Sequence, residues 1–496
     1  MIAKKYFYPA AAILIVVGGI LRFSDLFIAF QYDELWTWQF YANGSFAKIF
    51  QELATPNNHP LNSLLMKWSL FLAEPSVLTF RWSAYLAGLG CMALMIPLAM
   101  FFTRSRAGTL AALFLLAVNP WAILYSAQAR GYSLQLFLLM LTAVCCIRLW
   151  QNTKNGLLWS ITGAVSAICA VLTISSSILF LVPLFAVLFL KRRDRYGWLL
   201  YGVTGGFCLF WYLLNFAQFR AGQQFGVDLN TPEALVEHFC KTPWSLCGTA
   251  LLFALVPVKK RSSWGLWFCL FFPLLSAFAS KAGGTRVYLP CIIPCFLLAG
   301  MGVTLLFQKF HRKALCLLLL LLALGAWHFQ TEYSKIRLID WWELYGLHKK
   351  IPLNTVIVYP GNYGYPAQVN NPSIGEDFLN RLILPEKLLM LLDENGINGV
   401  GADFGEYCIK TAAGRSVVLD GYRGKLYDLK AKTPAPGELV LLIDENKNIT
   451  AVPESALLLN QHFRFPGEKR NTRCVVFRFE KEFRIPDGVR CFVIAE

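Results

Sequence analysis

The sequence predicts a polytopic α-helical membrane protein that carries a soluble domain after its last span. Hydrophobic residues make up 56% of the 496 residues and charged residues only 15%, an apolar excess too large for an ordinary soluble domain. Long apolar stretches recur through residues 1–330 and are separated by short basic segments. After about residue 331 the composition changes to that of a soluble domain.

Eleven apolar stretches are predicted as transmembrane helices. The first, Phe7 to Phe23, follows Lys4 and Lys5 and has no small-residue cleavage site after it, so we expect an uncleaved helix and not a signal peptide. Leu61 to Leu72 is apolar but shorter than the ~20 residues that a spanning helix needs, which favours an interfacial or re-entrant helix. The other spans are predicted at about 79–102, 107–124, 131–150, 156–174, 178–190, 197–217, 246–258, 264–280, 287–307 and 314–330.

The basic residues orient these spans. With eleven spans and a cytoplasmic amino terminus, the cytoplasmic segments contain many cations and a single acid, Asp194. An excess of Lys and Arg on the inner side is typical of membrane proteins, and it would be lost if Leu61 to Leu72 crossed the bilayer. These cations are Lys4, Lys5, Arg104, Arg106, Arg148, Lys154, Lys191, Arg192, Arg193, Arg195, Lys259, Lys260, Arg261, Lys309, Arg312 and Lys313.

Residues 1–330 are therefore predicted to form a multi-pass domain of the plasma (inner) membrane, with residues 25–78 as a first extracytoplasmic loop. Residues 331–496 are predicted to form an extracytoplasmic α/β or β-rich domain, with strand candidates at Thr355 to Tyr359, Glu438 to Ile443 and Cys474 to Phe479. The formal charge of +16 does not indicate a nucleic-acid partner, because the basic residues lie between apolar spans and are not clustered with aromatics on a soluble face.

Two adjacent carboxylates, Asp33 and Glu34, follow the first span. An acidic residue near a bilayer boundary is unfavourable unless water, a cation or a proton-transfer role accounts for it, so the pair is a functional candidate. The alternative is an interfacial pair that anchors the loop or binds a loop lysine such as Lys48.

Four motifs give the sequence a resemblance to a known family. They are Tyr32-Asp33-Glu34, Asn58-His59-Pro60-Leu61, Arg81-Trp82-Ser83-Ala84 and the run from Tyr125 to Ser133 (YSAQARGYS), in that order. Over about residues 1–310 the chain resembles integral-membrane glycosyltransferases of the GT-C class. Within that class it is similar to the branch of protein O-mannosyltransferases and of aminoarabinose transferases that modify lipid A.

The resemblance implies a reaction at the outer face of the membrane. The chain, in contact with membrane lipids, would move a hexose or pentose, with inversion, from a polyprenyl-phosphate carrier to a glycolipid, glycan, protein or other acceptor. By resemblance, Asp33 takes the role of general base and Glu34 helps to orient the acceptor or the loop. A positioned carboxylate that accepts the proton of an attacking hydroxyl suits this chemistry. If the acceptor were an ionised phosphate, Asp33 would act by positioning.

The departing lipid phosphate requires cations. Arg and Lys at a partly desolvated site stabilise the charge that it gains. The candidates are Arg81, Arg130, Lys281 and Arg286, with lipid-headgroup contacts as the alternative for each. The segment from Arg286 to Pro290 resembles a family Arg-Tyr-Leu-x-Pro pattern, in which Val287 is inserted between Arg and Tyr. Tyr288 of this segment and Tyr132 of the YSAQARGYS run are further candidates.

His59 has several possible roles. It could hydrogen-bond the donor phosphate, orient Asp33 or help to hold a divalent cation, or it could cap the helix near Leu61. No cofactor and no metal ligand set is assigned, although a divalent cation is possible, because no second His or carboxylate stands at ligand spacing. Gln128 and Gly131 depart from the family pattern, in which Glu and a bulkier residue or Pro are common.

Other functions are compatible with parts of the sequence. A protein O-glycosyltransferase would use the same chemistry on Ser or Thr, but no trefoil repeat is visible in the tail. A lipid or sugar transporter would be expected to place polar groups near mid-membrane, whereas charged residues here sit at span ends. A catalytically silent scaffold would not need the Asp33, Arg81 and Arg130 set.

Overall fold

A computed structural model describes residues 3–27, 33–34, 37–53, 58–73, 76–151, 154–222, 246–258, 263–280 and 285–310, and beyond these ten strands and three single positions. The chain divides into two units, Met1–Ile339 and Asp340–Glu496.

The described part of the first unit is helical. Its α-helices are α1 (Lys4–Ser24), α2 (Phe46–Gln51), α3 (Pro60–Ser69), α4 (Val77–Thr103), α5 (Arg106–Ala117), α6 (Pro120–Ser126), α7 (Gly131–Trp150), α8 (Gly156–Thr173), α9 (Ile178–Phe189), α10 (Arg195–Leu214), α11 (Phe216–Gly222), α12 (Leu246–Leu255), α13 (Trp264–Ser280) and α14 (Arg286–Phe310). A π-helical turn covers Thr37–Ala42, and 3-10 turns cover Ser175–Ser177 and Thr285–Cys291, the latter forming the first part of α14.

Apolar helices of spanning length indicate a multi-pass membrane protein. Among the described residues, six helices are long and apolar enough to cross a membrane, namely α1, α4, α7, α8, α10 and α14, and the bent pair of α5 and α6 can form a seventh span. Their bounds lie within a few residues of the predicted spans. The total of eleven stays a prediction, because the span at 314–330 lies outside the described residues and α12 has only 10 residues.

The span predicted at 107–124 is bent in the structure, since α5 and α6 meet at an angle of 57°. The break follows from the local sequence: Asn119 accepts a hydrogen bond from Ala122 N at 2.9 Å, and Pro120 occupies the first turn of α6. Arg22 of α1 donates to the carbonyls of Leu116 and Ala117, both at 3.0 Å, at the end of α5. The bend redirects the chain toward residues 127–130.

Short helices occupy part of residues 25–78, the segment that the sequence predicts as a loop. The helix α3 has 10 residues, which agrees with the predicted short helix, and its Pro60 stands in the first turn. Lys67 in its last turn donates to the carbonyls of Ala42 at 3.1 Å and Gly44 at 2.6 Å. These contacts fasten the π-helical turn, and thereby the segment next to Asp33, onto α3.

The second unit contains strands in its described part. They are β1 (Ile357–Val358), β2 (Leu382–Ile383), β3 (Gly401–Ala402), β4 (Lys410–Thr411), β5 (Lys425–Asp428), β6 (Leu439–Asp444), β7 (Leu457–Leu459), β8 (Phe463–Arg464), β9 (Arg473–Arg478) and β10 (Arg490–Ala495). Six of them form a sheet in the order β4-β7-β9-β6-β10-β5, whose pairs are antiparallel. Strands are present at all three predicted positions, and the type of the domain stays a prediction.

Candidate active site

One carboxylate oxygen of Asp33 meets two arginines from distant parts of the chain. Its Oδ2 lies 3.0 Å from Nη1 of Arg286, at the start of α14, and 3.5 Å from Nη1 of Arg130, just before α7. The alternative partner Lys48 pairs instead with Glu52, at 3.8 Å. Three sequence candidates that lie far apart in the chain are thus brought to one point.

Exposure increases across this cluster. The side chain of Arg130 is 2% exposed, that of Asp33 29% and that of Arg286 51%. A charged ligand can therefore approach from the side of Arg286, while Arg130 forms the enclosed end of the site.

The two arginines set the charge state of Asp33. Burial alone would raise the pKa of its carboxyl group, but the charges of Arg130 and Arg286 outweigh burial and hold that pKa below its ordinary value. Burial likewise disfavours the charged form of Arg130, yet Asp33 raises the pKa of this guanidinium above its ordinary value. With both arginines charged and Asp33 ionised, the cluster carries one excess positive charge.

His59 is a buried neutral imidazole beside this cluster. Burial, reinforced by the charge of Arg130, holds its pKa well below the ordinary value. Its ring contacts Tyr132 at 5.3 Å between centroids, and its Nε2 is buried without a hydrogen-bond partner in the described structure. Although His59 occupies the N-cap position of α3, its side chain makes no capping hydrogen bond.

Tyr132 and Gly131 pack closely beside Arg130 and His59. The guanidinium of Arg130 lies over the ring of Tyr132 at 5.7 Å, and Tyr125 packs against the same ring at 4.7 Å. A Cβ added at Gly131 would come within 2.8 Å of Thr173 Cγ2 and 3.2 Å of His59 Cβ. The glycine that departs from the family pattern therefore permits this close approach.

Glu34 points to a different partner from its neighbour Asp33. Arg81 donates to both of its carboxylate oxygens, from Nε at 2.7 Å and from Nη2 at 2.5 Å, and both side chains are fully buried. Arg81 also donates to the carbonyl of Leu26 at 3.0 Å. The pair thus joins α4 to the chain on both sides of residues 28–32.

The same carboxylate holds the backbone next to Arg130. Oε1 of Glu34 accepts a hydrogen bond from Ala129 N at 2.6 Å. Asp33 is adjacent in sequence to Glu34, and Arg130 is adjacent to Ala129. The bond therefore limits how far the two can move apart.

Of the remaining candidates, one is buried and the other lies outside the described residues. Tyr288 is completely buried in the apolar core. Lys281 lies outside the described residues. Within the described residues, no group of three or more His, Cys, Asp and Glu side chains could hold a metal ion.

Two buried polar residues were missed by sequence reasoning. Arg22 lies at the end of an apolar span and is 1% exposed, and a charge within a span is itself a signal of function or of a specific partner. Asn62 follows the Asn-His-Pro motif and donates through Nδ2 to the carbonyl of Ala129 at 3.0 Å. A backbone partner of this kind leaves no trace in the sequence pattern.

Comparison with known proteins gives structural matches only. No protein-family model matches the sequence, and no curated protein matches it. The chain is similar to the crystal structure of ArnT from Cupriavidus metallidurans bound to undecaprenyl phosphate, with a TM-score of 0.49 and 15% identity over 65% of this chain and 64% of that one.

Two further solved structures are similar. One is an oligosaccharyltransferase from Archaeoglobus fulgidus in complex with Zn and sulfate, with a TM-score of 0.44 and 13% identity over 66% of this chain and 53% of that one. The other is the arabinosyltransferase EmbB from Mycobacterium smegmatis, with a TM-score of 0.42 and 11% identity over 100% of this chain and 65% of that one.

All three are GT-C glycosyltransferases. The chain spans less than two thirds of the length of each. Every TM-score is below 0.5, so the function of this chain has to be inferred from its own side chains.

Proposed function

We propose that the chain is an inverting membrane glycosyltransferase that moves a sugar from a polyprenyl-phosphate-linked donor to a hydroxyl of a glycolipid or glycan. The observation that carries the proposal is the contact of one partly exposed carboxylate, Asp33, with two arginines, Arg130 and Arg286. The carboxylate offers a base, and the arginines offer a phosphate site. In this proposal residues 1–330 form the catalytic domain, and the reaction takes place at the outer face of the plasma membrane.

The charge of the cluster suits the donor. A sugar linked through a phosphodiester carries one negative charge, which matches the one excess positive charge of Asp33, Arg130 and Arg286. Guanidinium groups bind phosphate oxygens through charge-assisted hydrogen bonds. The phosphate gains further negative charge as the sugar leaves, so arginines at a partly desolvated site stabilise the transition state more than the bound donor.

Binding of the donor also activates the base. A phosphate that attracts Arg286 removes one of the two cations that hold the pKa of Asp33 low. The carboxylate then becomes a stronger base at the moment when the donor is in place. Donor binding and proton acceptance are thereby coupled through one arginine.

The reaction follows from this arrangement. The acceptor hydroxyl attacks the anomeric carbon while Asp33 takes its proton, and the bond from that carbon to the phosphate oxygen breaks with its electron pair on the oxygen. Attack opposite the leaving phosphate inverts the anomeric centre. A positioned base of this kind contributes about 10²- to 10⁴-fold to the rate.

Glu34 and Arg81 are positioning residues in this mechanism. Three hydrogen bonds from Arg81 and Ala129 engage the Glu34 carboxylate, and the guanidinium of Arg81 is fully buried against it. We therefore assign the phosphate contacts to Arg130 and Arg286 and not to Arg81. The pair acts on the reaction by fixing the segments that carry Asp33 and Arg130.

The class of reaction is tested with the purified protein in proteoliposomes. A panel of polyprenyl-phosphate-linked hexoses and pentoses is supplied with an envelope fraction as acceptor, and release of polyprenyl phosphate is measured. The proposal predicts release from at least one donor, and its loss in an Arg130→Ala/Arg286→Ala variant. Absence of release from every donor would reject the proposal. If the transferred sugar is found on protein and not on lipid or glycan, the acceptor would be a Ser or Thr side chain.

A further inference from the structure

We infer that Asn62 is a positioning residue that holds the backbone carrying Arg130, and this inference rests on the proposed function. Nδ2 of Asn62 donates to the carbonyl of Ala129 at 3.0 Å, while Glu34 accepts from the amide of the same residue at 2.6 Å. The two peptide groups that flank the α-carbon of Ala129 are thus held by two different segments. We call Glu34, Asn62 and Ala129 the backbone clamp.

The clamp acts where regular secondary structure does not. Between α6 and α7 the chain turns tightly, with the amide of Arg130 donating to the carbonyl of Gln128 at 2.7 Å. Arg130 itself has an extended backbone, with φ −122° and ψ 152°, and makes no side-chain capping bond. Side-chain contacts to this turn therefore fix the position of the backbone from which the Arg130 side chain extends.

Stability alone does not account for an amide at position 62. Asn62 is completely buried, and its Oδ1 has no hydrogen-bond partner in the described structure. Its other contact from Nδ2 is to the sulfur of Met66, at 3.8 Å. A buried polar atom without a partner is unfavourable, and leucine, which has the same branched shape, would lack that atom. The donor to Ala129 is the feature that leucine could not supply.

The position of Asn62 on α3 links the clamp to the rest of the site. His59 at the start of the same helix packs against Tyr132, and Tyr132 lies under Arg130. The helix α3 thus contacts the segment around Arg130 at two places. Asn62 binds the backbone of Ala129, and His59 packs against the ring of Tyr132. Without the Asn62 contact the guanidinium of Arg130 would still be present, but its distance from the carboxylate of Asp33 would no longer be fixed.

The test compares Asn62→Leu with the wild type in the transfer assay. We expect kcat/KM for the lipid-linked donor to fall about 10- to 100-fold, because a displacement of about 1 Å in a reacting site can lower the rate on that scale. The melting temperature should stay close to that of the wild type, because the unpaired Oδ1 is lost while the carbonyl of Ala129 loses its donor. Asn62→Ala, which cannot overpack the site, should show the same loss of activity if Asn62→Leu fails to fold.

A matched control and a double-mutant cycle separate positioning from general structure. Ser69→Ala removes a buried hydrogen-bonding side chain at the other end of α3 and should leave kcat/KM within about twofold. In an Arg130→Lys background, where the guanidinium fork is already lost, Asn62→Leu should have little further effect, because the two changes act on one contact.

Three results are distinguishable. A large loss in Asn62→Leu that nearly disappears in the Arg130→Lys background supports the inference. Full activity of Asn62→Leu, or a loss that multiplies with that of Arg130→Lys, overturns the inference and leaves the proposed function standing. Absence of transfer by the wild type rejects the proposed function and the inference together.

Discussion

Oδ2 of Asp33 lies 3.0 Å from Nη1 of Arg286, although 253 residues separate them along the chain. The candidate base and a candidate phosphate ligand are therefore paired with each other. In the proposed mechanism a donor phosphate offers Arg286 a replacement anion, and its arrival releases Asp33 for the acceptor. This exchange gives a physical reason for a preferred order in which the donor binds first.

The exchange predicts how pH affects Arg286→Gln. Burial raises the pKa of Asp33, and this variant removes one of the two cations that outweigh burial, so the pKa should rise. Asp33 accepts a proton only when ionised, so activity is lost as pH falls through this pKa. Profiles of kcat/KM between about pH 4 and 8 should show the acid limb at higher pH in Arg286→Gln than in the wild type.

Arg193→Gln provides the control for that profile. Arg193 is a cation of the basic segment after α9, where it donates to the carbonyl of Phe189 at 3.4 Å and lies over the ring of the same residue. Its replacement should leave the acid limb where it is. An unshifted limb in Arg286→Gln would show that Arg286 does not set the pKa of Asp33.

The buried pair of Glu34 and Arg81 predicts an asymmetry in stability. Arg81→Met leaves the Glu34 carboxylate buried without its cation and should lower the free energy of unfolding by about 3–5 kcal/mol. The double variant Glu34→Gln/Arg81→Met removes both charges and keeps an amide oxygen for Ala129, so it should be more stable than Arg81→Met. Thermal unfolding in detergent measures both. A double variant less stable than Arg81→Met would contradict the pairing.

The glycine at position 131 gives a steric prediction. In Gly131→Ala the new methyl group would meet Thr173 at 2.8 Å, so we expect a loss of about 1–3 kcal/mol and reduced activity. Gly202 in α10 has no atom within 4 Å of the corresponding position, and Gly202→Ala should be neutral or stabilising by up to about 1 kcal/mol. Unfolding temperatures and transfer rates of the two variants provide the check. Equal behaviour of the two would contradict the close packing at Gly131.

The sequence predicts the helices well because their signals are local. Apolar length places α4, α7 and α8 within a few residues, and the shortness of the Leu61 stretch predicts a helix that cannot span. The bend between α5 and α6 was missed even though Asn119 and Pro120 are a recognisable helix start. An apolar run on both sides hid that signal.

The candidate site was predictable in its members but not in its pairings. Motifs select Asp33, Glu34, Arg81, Arg130 and Arg286, yet no pattern shows that adjacent carboxylates point to different arginines. Glu34 with Arg81 and Asp33 with Arg286 are tertiary contacts over 47 and 253 residues. Asn62 escaped detection because its partner is a backbone carbonyl, which any residue at position 129 would provide.

The central claim, that Asp33 is the base of a lipid-phosphate-dependent glycosyl transfer, is tested most directly by Asp33→Asn. Turnover of the active donor and binding of polyprenyl phosphate are measured for wild type and variant at equal amounts of folded protein. We predict that kcat falls about a hundredfold or more, while polyprenyl phosphate binds at least as tightly because Arg130 and Arg286 no longer face a carboxylate. Unchanged turnover in Asp33→Asn would contradict the account.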